Sequence, residues 1–551
     1  MVAPTDIPRL LEQYHSLRAI SRATGASWRS VQGAYSNAVQ QGLMPHIPMG
    51  RTPHSRLKPA TVKQRRKALK TKRARHQRYI LTCAQNNTHV HPEVWNSLTT
   101  LAGHYGAKLL VSTFLYANRS HWQQNLDKAV AGKRAEKGER GKAELWFDPA
   151  VVPYINNDRV EIAKGLVWCG ELNISPTANR PLSGLEVYTG RASMIVPHVK
   201  IALDSIATVG GDGTKFNYTT GTVTQRNYIQ RKEGFKAEFH HCYGGLLVEV
   251  DEDGDWFCRQ LNADSDGTIY DLDVKVCGGK ITTGNRAEGL NLGDTHVGDD
   301  QDPTIEKSTF GKKGLVSVLN PKNIIAHDVL NFGRRSHHKL KDPYKMLKQF
   351  AQGRECVESE VKGVKDWLES HSSPDCLIVV VDSNHDRHLD RWLADNDGRR
   401  DPVNARYWSL LNHWKVEYIM ANGEEPAMLP LAIAMTDPDF EDKYNVLFLD
   451  SDSSFVLCPT FAGGIECSLH GDRGANGARG SARGIARLGR RTNIGHSHSA
   501  KIDEGCYQSG TNSLLKLDYN HGPSSWSHSD IVTYPNSKRA IITFRNGKWR
   551  A

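Results

Sequence analysis

The sequence predicts an α/β protein whose C-terminal half is built on strands that end in metal-ligand side chains. Three observations predict it. From about residue 285, short apolar runs such as NIIA and CLIVVV alternate with helix-length polar stretches, the texture of a βαβ sheet. Residues 79–116 contain YILTCAQNNT, PEVWNSLTTLAGHYG and AKLLVSTFLY, which read strand, helix, strand. Ahead of both, residues 7–44 carry apolar side chains at helical spacing. A chain of 551 residues exceeds one ordinary core, so several domains are expected. The division is a helical module at 1–45, a basic arm at 46–78, a smaller α/β domain at 79–284, and at 285–551 the domain that carries the chemistry.

In the first module Leu10, Leu11 and Tyr14, then Leu17, Ile20 and Ala23, then Val31, Ala34 and Tyr35 mark three short helices. Gly25 breaks the second from the third, and Ser27 is placed to cap the third. The arrangement resembles a helix-turn-helix DNA-binding module. The third helix would then offer Trp28, Arg29 and Gln32 to a major groove.

The arm has twelve Lys or Arg residues from Arg51 to Arg78 and no carboxylate. It has too few large apolar residues to bury a face, so Arg65, Arg66, Lys67, Arg73 and Arg75 are expected to neutralise phosphates. The whole chain has 71 basic and 60 acidic residues, a net charge of +11. That balance favours a nucleic-acid partner over an acidic small molecule.

The ten cysteines show no CxxC pair, which argues against structural zinc and for reduced thiols. The start MVAPTDIPRLLEQ lacks an apolar signal core, and no run approaches the roughly 18 apolar residues of a membrane span. A soluble, cytoplasmic protein with no membrane partner is expected. Residues 127–144 are charged and low in complexity and read as a surface loop. The segments LVWCGELNI, VYTGRASMIVPHVKIALDSIATV, VTQRNYI and GGLLVEVDEDGDWFCRQL read as strand-rich. The acidic stretches 251–255 and 262–267 lack the full ligand series of a calcium loop and read as turns.

Five segments end or follow an apolar stretch and supply metal-ligand side chains. They are GLNLGDTH (289–296), NIIAHDVLNFG (323–333), CLIVVVDSNHDRH (376–388), GIECSLHGD (464–472) and TNIGHSH (492–498). Residues just past the strand ends of an open α/β sheet converge on one rim, so ligands distant in sequence can meet there. A lone histidine at a strand end is more often structural. A set of buried Asp and His is costly unless its members pair with one another or with metal.

The set resembles the calcineurin-like metallophosphoesterase family, whose motifs run GDxH, GDxxD or GDxxN, GNH(D/E), a later His, and GHxH. The resemblance covers roughly residues 285–510 and departs at His327 and Ser383, where the family has Gly. It implies a layered α/β sandwich. It also implies that Asp294, His296, Asp328 and His498 surround one divalent ion, and Asp328, Asn384, His470 and His496 a second, with Asp328 as the bridge. Mixed carboxylate and imidazole ligands suit Mn2+, Fe2+ or Zn2+. Nuclease relatives in the family use manganese, so two Mn2+ ions are expected. His385 would protonate the leaving 3′ oxygen or stabilise the charge developing there, and Asp386 would orient His385 by accepting its second N–H.

The motifs fix a reaction rather than a substrate. Between the last two motifs Arg473, Arg479, Arg483, Arg487, Arg490 and Arg491 fall among small residues, and Arg334 and Arg335 come shortly after the bridging Asp328. Arg473, Arg479, Arg483, Arg334 and Arg335 are expected at phosphates on the metal rim. With the N-terminal module, this points to a nuclease similar to phage-encoded phosphoesterases and the SbcD class of repair nucleases. That resemblance implies double-stranded DNA as substrate, a homo-oligomer, degradation of host DNA and the infected bacterial cytoplasm as location. Two alternatives stay open: a DNA-binding regulator with an inactive phosphoesterase fold, and a phosphatase or cyclic nucleotide phosphodiesterase.

Overall fold

The computed structural model describes residues 2–14, 17–44, 72–73, 77–116, 146–209 and 213–551. The chain forms two compact units, Met1–Ser55 and Arg56–Ala551. The expected loop at 127–144 and the phosphate-contact residues Arg65, Arg66, Lys67 and Arg75 lie outside the described residues.

The first unit has three helices, Ile7–Tyr14, Leu17–Thr24 and Trp28–Gln40. Ser27 caps the third, its side chain accepting from the Ser30 N–H, and Gly25 turns the chain at φ +67°. Ile7, Leu10, Leu17, Ile20, Val31, Ala34, Tyr35 and Ala38 form its core. Ala23, expected in the buried stripe, is exposed. Each three-residue step turns a helix by about 60° off its starting direction, so two steps carry Ala23 away from the face of Leu17.

The second unit is a mixed α/β body. In its six-stranded sheet Gly289–Asn291, Asn323–Ala326, Leu377–Val380 and Val446–Phe448 run parallel to their neighbours. Ser529–Thr533 and Arg539–Thr543 close one side antiparallel. Both faces are covered, which is why these strands read as unbroken apolar runs. Leu290, Ile324, Ile378 and Val380 point to the layer that includes the helix Val357–His371. Ile325, Val379 and Val381 point the other way, to Leu457, Ile465 and Cys467.

The expected break between residues 284 and 285 is not there. An eleven-stranded sheet joins Arg159–Ala163, Leu166–Cys169, Ser193–Val196, Leu203–Ile206 and Lys215–Thr219 to Thr492–Ile494, Lys501–Asp503 and Cys506–Gln508. Leu203 and Ile502 pair across the expected boundary. One core continues through Tyr218, Leu246, Ile502 and Ile541, so the two segments fold as one body.

The strand, helix, strand pattern near residue 79 gives Arg78–Gln85, Pro92–Tyr105 and Lys108–Phe114, the two strands parallel. The acidic stretch at 251–255 is the turn between Gly244–Val250 and Trp256–Asn262, where the Asp251 carboxylate accepts from the Asp253 and Asp255 N–H groups. VTQRNYI forms an isolated bridge through Thr224 to Val90 rather than a strand. Among the described residues no helix is long and apolar enough to cross a membrane, and all ten cysteines are free.

Candidate metal centre

The strands end where the ligand motifs begin. Asp294 lies three residues past Asn291, Asp328 two past Ala326 and Asn384 four past Val380. His470 comes after Ile465–Glu466, and His496 and His498 come after Thr492–Ile494, in the opposing sheet. The two sheets thus meet at one rim, and all seven sequence-expected ligands gather there.

Around the first position, His498 Nε2 is 3.0 Å from Asp294 Oδ2 and 3.3 Å from His296 Nε2, which is 3.8 Å from Asp328 Oδ2. Around the second, Asn384 Oδ1 is 2.8 Å from His470 Nε2 and 3.0 Å from His496 Nδ1, and His470 Nε2 is 3.4 Å from Asp328 Oδ2. Donors about 2.1 Å from a shared ion stand roughly 3.0–3.5 Å apart, so this spacing fits a cation in each set. Both sets include the same oxygen, Asp328 Oδ2. The Nδ1 atoms of His296, His470 and His498 are buried without a hydrogen-bond partner among the described residues. This buried Asp and His cluster can bind a metal ion.

The backbone is held hard to bring these side chains together. His296, Asp328, His496 and His498 all have positive φ, from +46° to +73°. Non-glycine residues in that region cost of order 1–3 kcal/mol each and persist where the surroundings over-determine them. The structure shows what does so. The Asp328 N–H donates to Ser383 Oγ at 3.0 Å, and that hydroxyl donates to the Val381 carbonyl at 2.7 Å. Asp294 Oδ1 accepts from the His496 N–H at 3.1 Å. A Cβ on Gly293 would meet Thr511 backbone at 2.7 Å, and one on Gly495 would meet Asp294 Oδ1 at 2.2 Å. Ser383 thus ties the Asp328 backbone to the strand end at Val381. His327 is fully buried beside the cluster, its ring centroid 5.6 Å from that of His470.

The charges are unbalanced without a cation or proton. Burial would depress the His470 pKa, but Asp328 and Asp294 outweigh it and raise it to about 9. Burial would raise the Asp328 carboxyl, yet the nearby His470 and His385 rings hold it well below the usual range. Burial, helped by the facing His385, lowers His296 to about 3. Two buried carboxylates therefore compete for whatever positive charge is present, the condition a divalent ion satisfies.

His385 borders the cluster, its ring 4.5 Å from that of His296. Its Nδ1 lies 2.8 Å from the Asn331 carbonyl, which can only accept, so Nδ1 carries the proton and Nε2 is left for chemistry. Asp386 does not orient it: that carboxylate accepts from the Leu330 N–H at 2.8 Å and is buried under the second motif. The turn at residues 384–387, which leads into the helix His388–Asp395, carries the Asp386 side chain inward. Asn331 does the orienting, held by its amide N–H to Asp300 at 2.7 Å.

Of the expected phosphate contacts, Arg29 and Gln32 are exposed on the third N-terminal helix, as are Arg473, Arg479 and Arg483 in the second unit. Arg73 lies in the short strand Lys72–Arg73. Arg335 is a correction. It is 4% exposed and ion-paired to Asp401 at 2.6 Å and Glu355 at 3.4 Å, so its charge is spent inside the protein. Arg334 is similarly engaged, with Asp299 and the Cys356 carbonyl. Arg483 lines a separate cavity with Asp204 and Lys501, away from the ligands.

Apart from Lys516, the basic residues beside the centre come instead from residues 336–354, a segment without a ligand motif. A cavity of about 530 Å³ beside His385 and Asn331 is lined by Lys339, Lys345, Lys348, Lys516 and Arg354, with Tyr519 at its edge. The signal was present in SHHKLKDPYKMLKQFAQGR, residues 336–354, which has one carboxylate among its Lys and Arg residues.

Over 485 residues, 86% of this chain and 83% of the relative, the protein is 36% identical to Protein A1 of Escherichia phage T5. No protein-family model matches the chain. No solved structure matches it.

Proposed function

The chain belongs to the family of Protein A1 of Escherichia phage T5, and from that premise we propose that it is a metal-dependent nuclease of the calcineurin-like kind. In this reading it hydrolyses double-stranded host DNA in the cytoplasm of an infected bacterium. The observation that carries the reading is the donor spacing: two four-ligand sets, 2.8–3.8 Å between neighbours, that meet on Asp328 Oδ2. Asp294, His296, Asp328 and His498 would hold one ion, and Asp328, Asn384, His470 and His496 the other. Carboxylate, amide and imidazole donors without a thiolate suit Mn2+. When bound, the ions supply Lewis acidity, neutralising phosphate oxygens and making a water acidic enough to act as nucleophile.

The rest is done by the chain. Ser383 and the glycines at 293 and 495 fix where the ligand side chains stand. His385, with Nδ1 donating to the Asn331 carbonyl, presents Nε2 to the leaving oxygen; as the doubly protonated imidazolium it gives the Nε2 proton to that oxygen and returns to the neutral Nδ1–H form. Such general-acid help is worth about 10²–10⁴ in rate. Lys339, Lys345 and Lys516 border the same cavity and favour a polyanion extending past the scissile phosphate. Arg473 and Arg479 add exposed charge near the His470 motif, and Arg29 and Gln32 give the N-terminal unit a DNA-facing surface. Association into homo-oligomers is part of the proposal, supported by Tyr344, Leu347 and Phe350, each more than 60% exposed on the helix Pro343–Ala351.

Digestion of circular and linear DNA by the purified chain with Mn2+, Mg2+ or EDTA tests the reading. Cleavage with Mn2+ that EDTA and Asp328→Ala both abolish is expected. Rapid hydrolysis of a small phosphodiester with DNA left intact would point to a phosphatase instead. Tight DNA binding without turnover under any divalent ion would point to a regulator.

A further inference from the structure

A second group of ligating side chains stands outside the Asp328 cluster. His337, His338 and His388 each bring one ring nitrogen within 4.8 Å of the others. His337 and His338 begin the short helix His337–Leu340, and His388 begins the helix His388–Asp395. Two helix starts therefore converge. The His337 ring centroid is 3.7 Å from that of His338 and 4.9 Å from that of His388. His338 also lines the 530 Å³ cavity, so one side of the cluster is open.

Ordinary packing does not account for the arrangement. The Nδ1 atoms of His337 and His388 are both buried with no hydrogen-bond partner among the described residues. Each such atom loses its hydration without compensation. The remaining nitrogen of His337 already faces a cation: Arg391 Nη1 lies 3.3 Å from Nε2. Arg391 is 56% exposed and has a second partner in Asp395 at 3.2 Å, so it can withdraw from His337 without losing all its partners. Burial, then the neighbouring rings and Arg391, lowers the pKa of His337. Burial and His385 lower those of His338 and His388, the last to about 3. The rings are thus neutral near pH 7, the form that ligates.

We propose that His337, His338 and His388 form a further cation site, separate from the Asp328 cluster, that takes a borderline divalent ion such as Zn2+, Cu2+ or Ni2+. Three imidazoles without a carboxylate favour these ions over Mg2+ or Mn2+. Three protein ligands leave a coordination position for water or a substrate phosphate, on the side where the cavity opens. His385 stands between the two sites, its ring 4.8 Å from that of His388 and 4.5 Å from that of His296. The site does not depend on the nuclease reading.

The test is Zn2+ binding by the full chain after EDTA stripping, counted by elemental analysis after desalting. Wild type, His337→Ala, His338→Ala, His388→Ala, Arg391→Gln and Asp328→Ala are compared. Each histidine variant should retain about one Zn2+ fewer per chain than wild type, and Asp328→Ala should keep the ion that they lose. Arg391→Gln, which removes the competing cation, should bind that ion more tightly. Equal zinc content in wild type and all three histidine variants would overturn the proposal, as would a binding curve unmoved by Arg391→Gln. If His388→Ala fails to fold, the exposed His338→Ala gives the same readout. The count is a difference between variants, so it stands or falls separately from occupancy at Asp328.

Discussion

Substituting Gly495 by alanine puts the ligand geometry under direct test. The new Cβ would stand 2.2 Å from Asp294 Oδ1, against a closest tolerable approach of about 3.0 Å, so the carboxylate or the 495 backbone must retreat by about 0.8 Å. Neither has room. Asp294 is fully buried and its Oδ1 accepts from the His496 N–H, while Gly495 donates its N–H to the His470 carbonyl at 2.8 Å. The displacement therefore reaches Asp294, His496 and His470, ligands in both sets. A misplacement near 1 Å costs a reaction about 100-fold, which sets the expected loss in Mn2+-dependent cleavage rate. Rates are measured at saturating Mn2+, with Mn2+ affinity by calorimetry and folding by circular dichroism. Gly363→Ala is the control. It lies inside the helix Val357–His371 with nothing within 4 Å of the added Cβ, so activity should hold and stability should rise by about 0.5–1 kcal/mol. Wild-type rate and Mn2+ affinity in Gly495→Ala would refute the reasoning.

Single residues carry the other expectations. His385→Ala should slow DNA cleavage by about 10²–10⁴ yet spare a p-nitrophenyl phosphodiester, whose leaving group needs no proton; equal losses would exclude the general-acid role. Burial raises the Glu360 pKa from 4.5 to about 7, against Arg334 and the Gly333 and Arg334 N–H groups. A carboxyl that holds its proton more tightly when folded contributes stability fully below pH 4.5 and loses it as pH rises through 7. Glu360→Gln should flatten that fall, by at most about 3 kcal/mol, in urea melts at pH 5 and pH 8. Arg259→Ala should destabilise by about 3 kcal/mol, because Arg259 is 2% exposed and paired at 2.7 Å to both Asp271 and Glu249; among the described residues its loss leaves Asp271 only the Tyr105 hydroxyl, while Glu249 keeps Arg78. Lys345→Ala and Lys516→Ala should each weaken DNA binding and reduce its salt slope by about one; an unchanged slope would remove the cavity from the DNA path.

The side chains that gather at the rim are legible in the sequence because strand ends announce themselves. Apolar runs such as NIIA and LIVV can be read without partners, and what lies two to four residues beyond them converges by topology. The capped N-terminal helices were legible for the same local reason. Whatever depends on a distant partner was not. Arg335 looked like a free cation because Asp401 is 66 residues away in sequence, and counting charge cannot say which charge is already spent. The domain break expected at residue 284 failed because strand pairing between Leu203 and Ile502 leaves no trace in either segment's composition. Ser383 was read as a departure from a glycine pattern, and only its bond to the Asp328 N–H shows what the hydroxyl does. Adjacency to His385 misleads for Asp386, since neighbours in a tight turn point different ways: His385 toward the Asn331 carbonyl and Asp386 toward the Leu330 N–H.

The most direct measurement is anomalous X-ray diffraction at the manganese edge from crystals of the full chain grown with Mn2+. Two anomalous peaks about 3.5–4 Å apart are expected, with the Asp328 carboxylate between them and the Asp294, His296, His498 and Asn384, His470, His496 side chains divided on either side. No peak within ligand distance of Asp328, or a single one that leaves either group of side chains unengaged, would contradict the account.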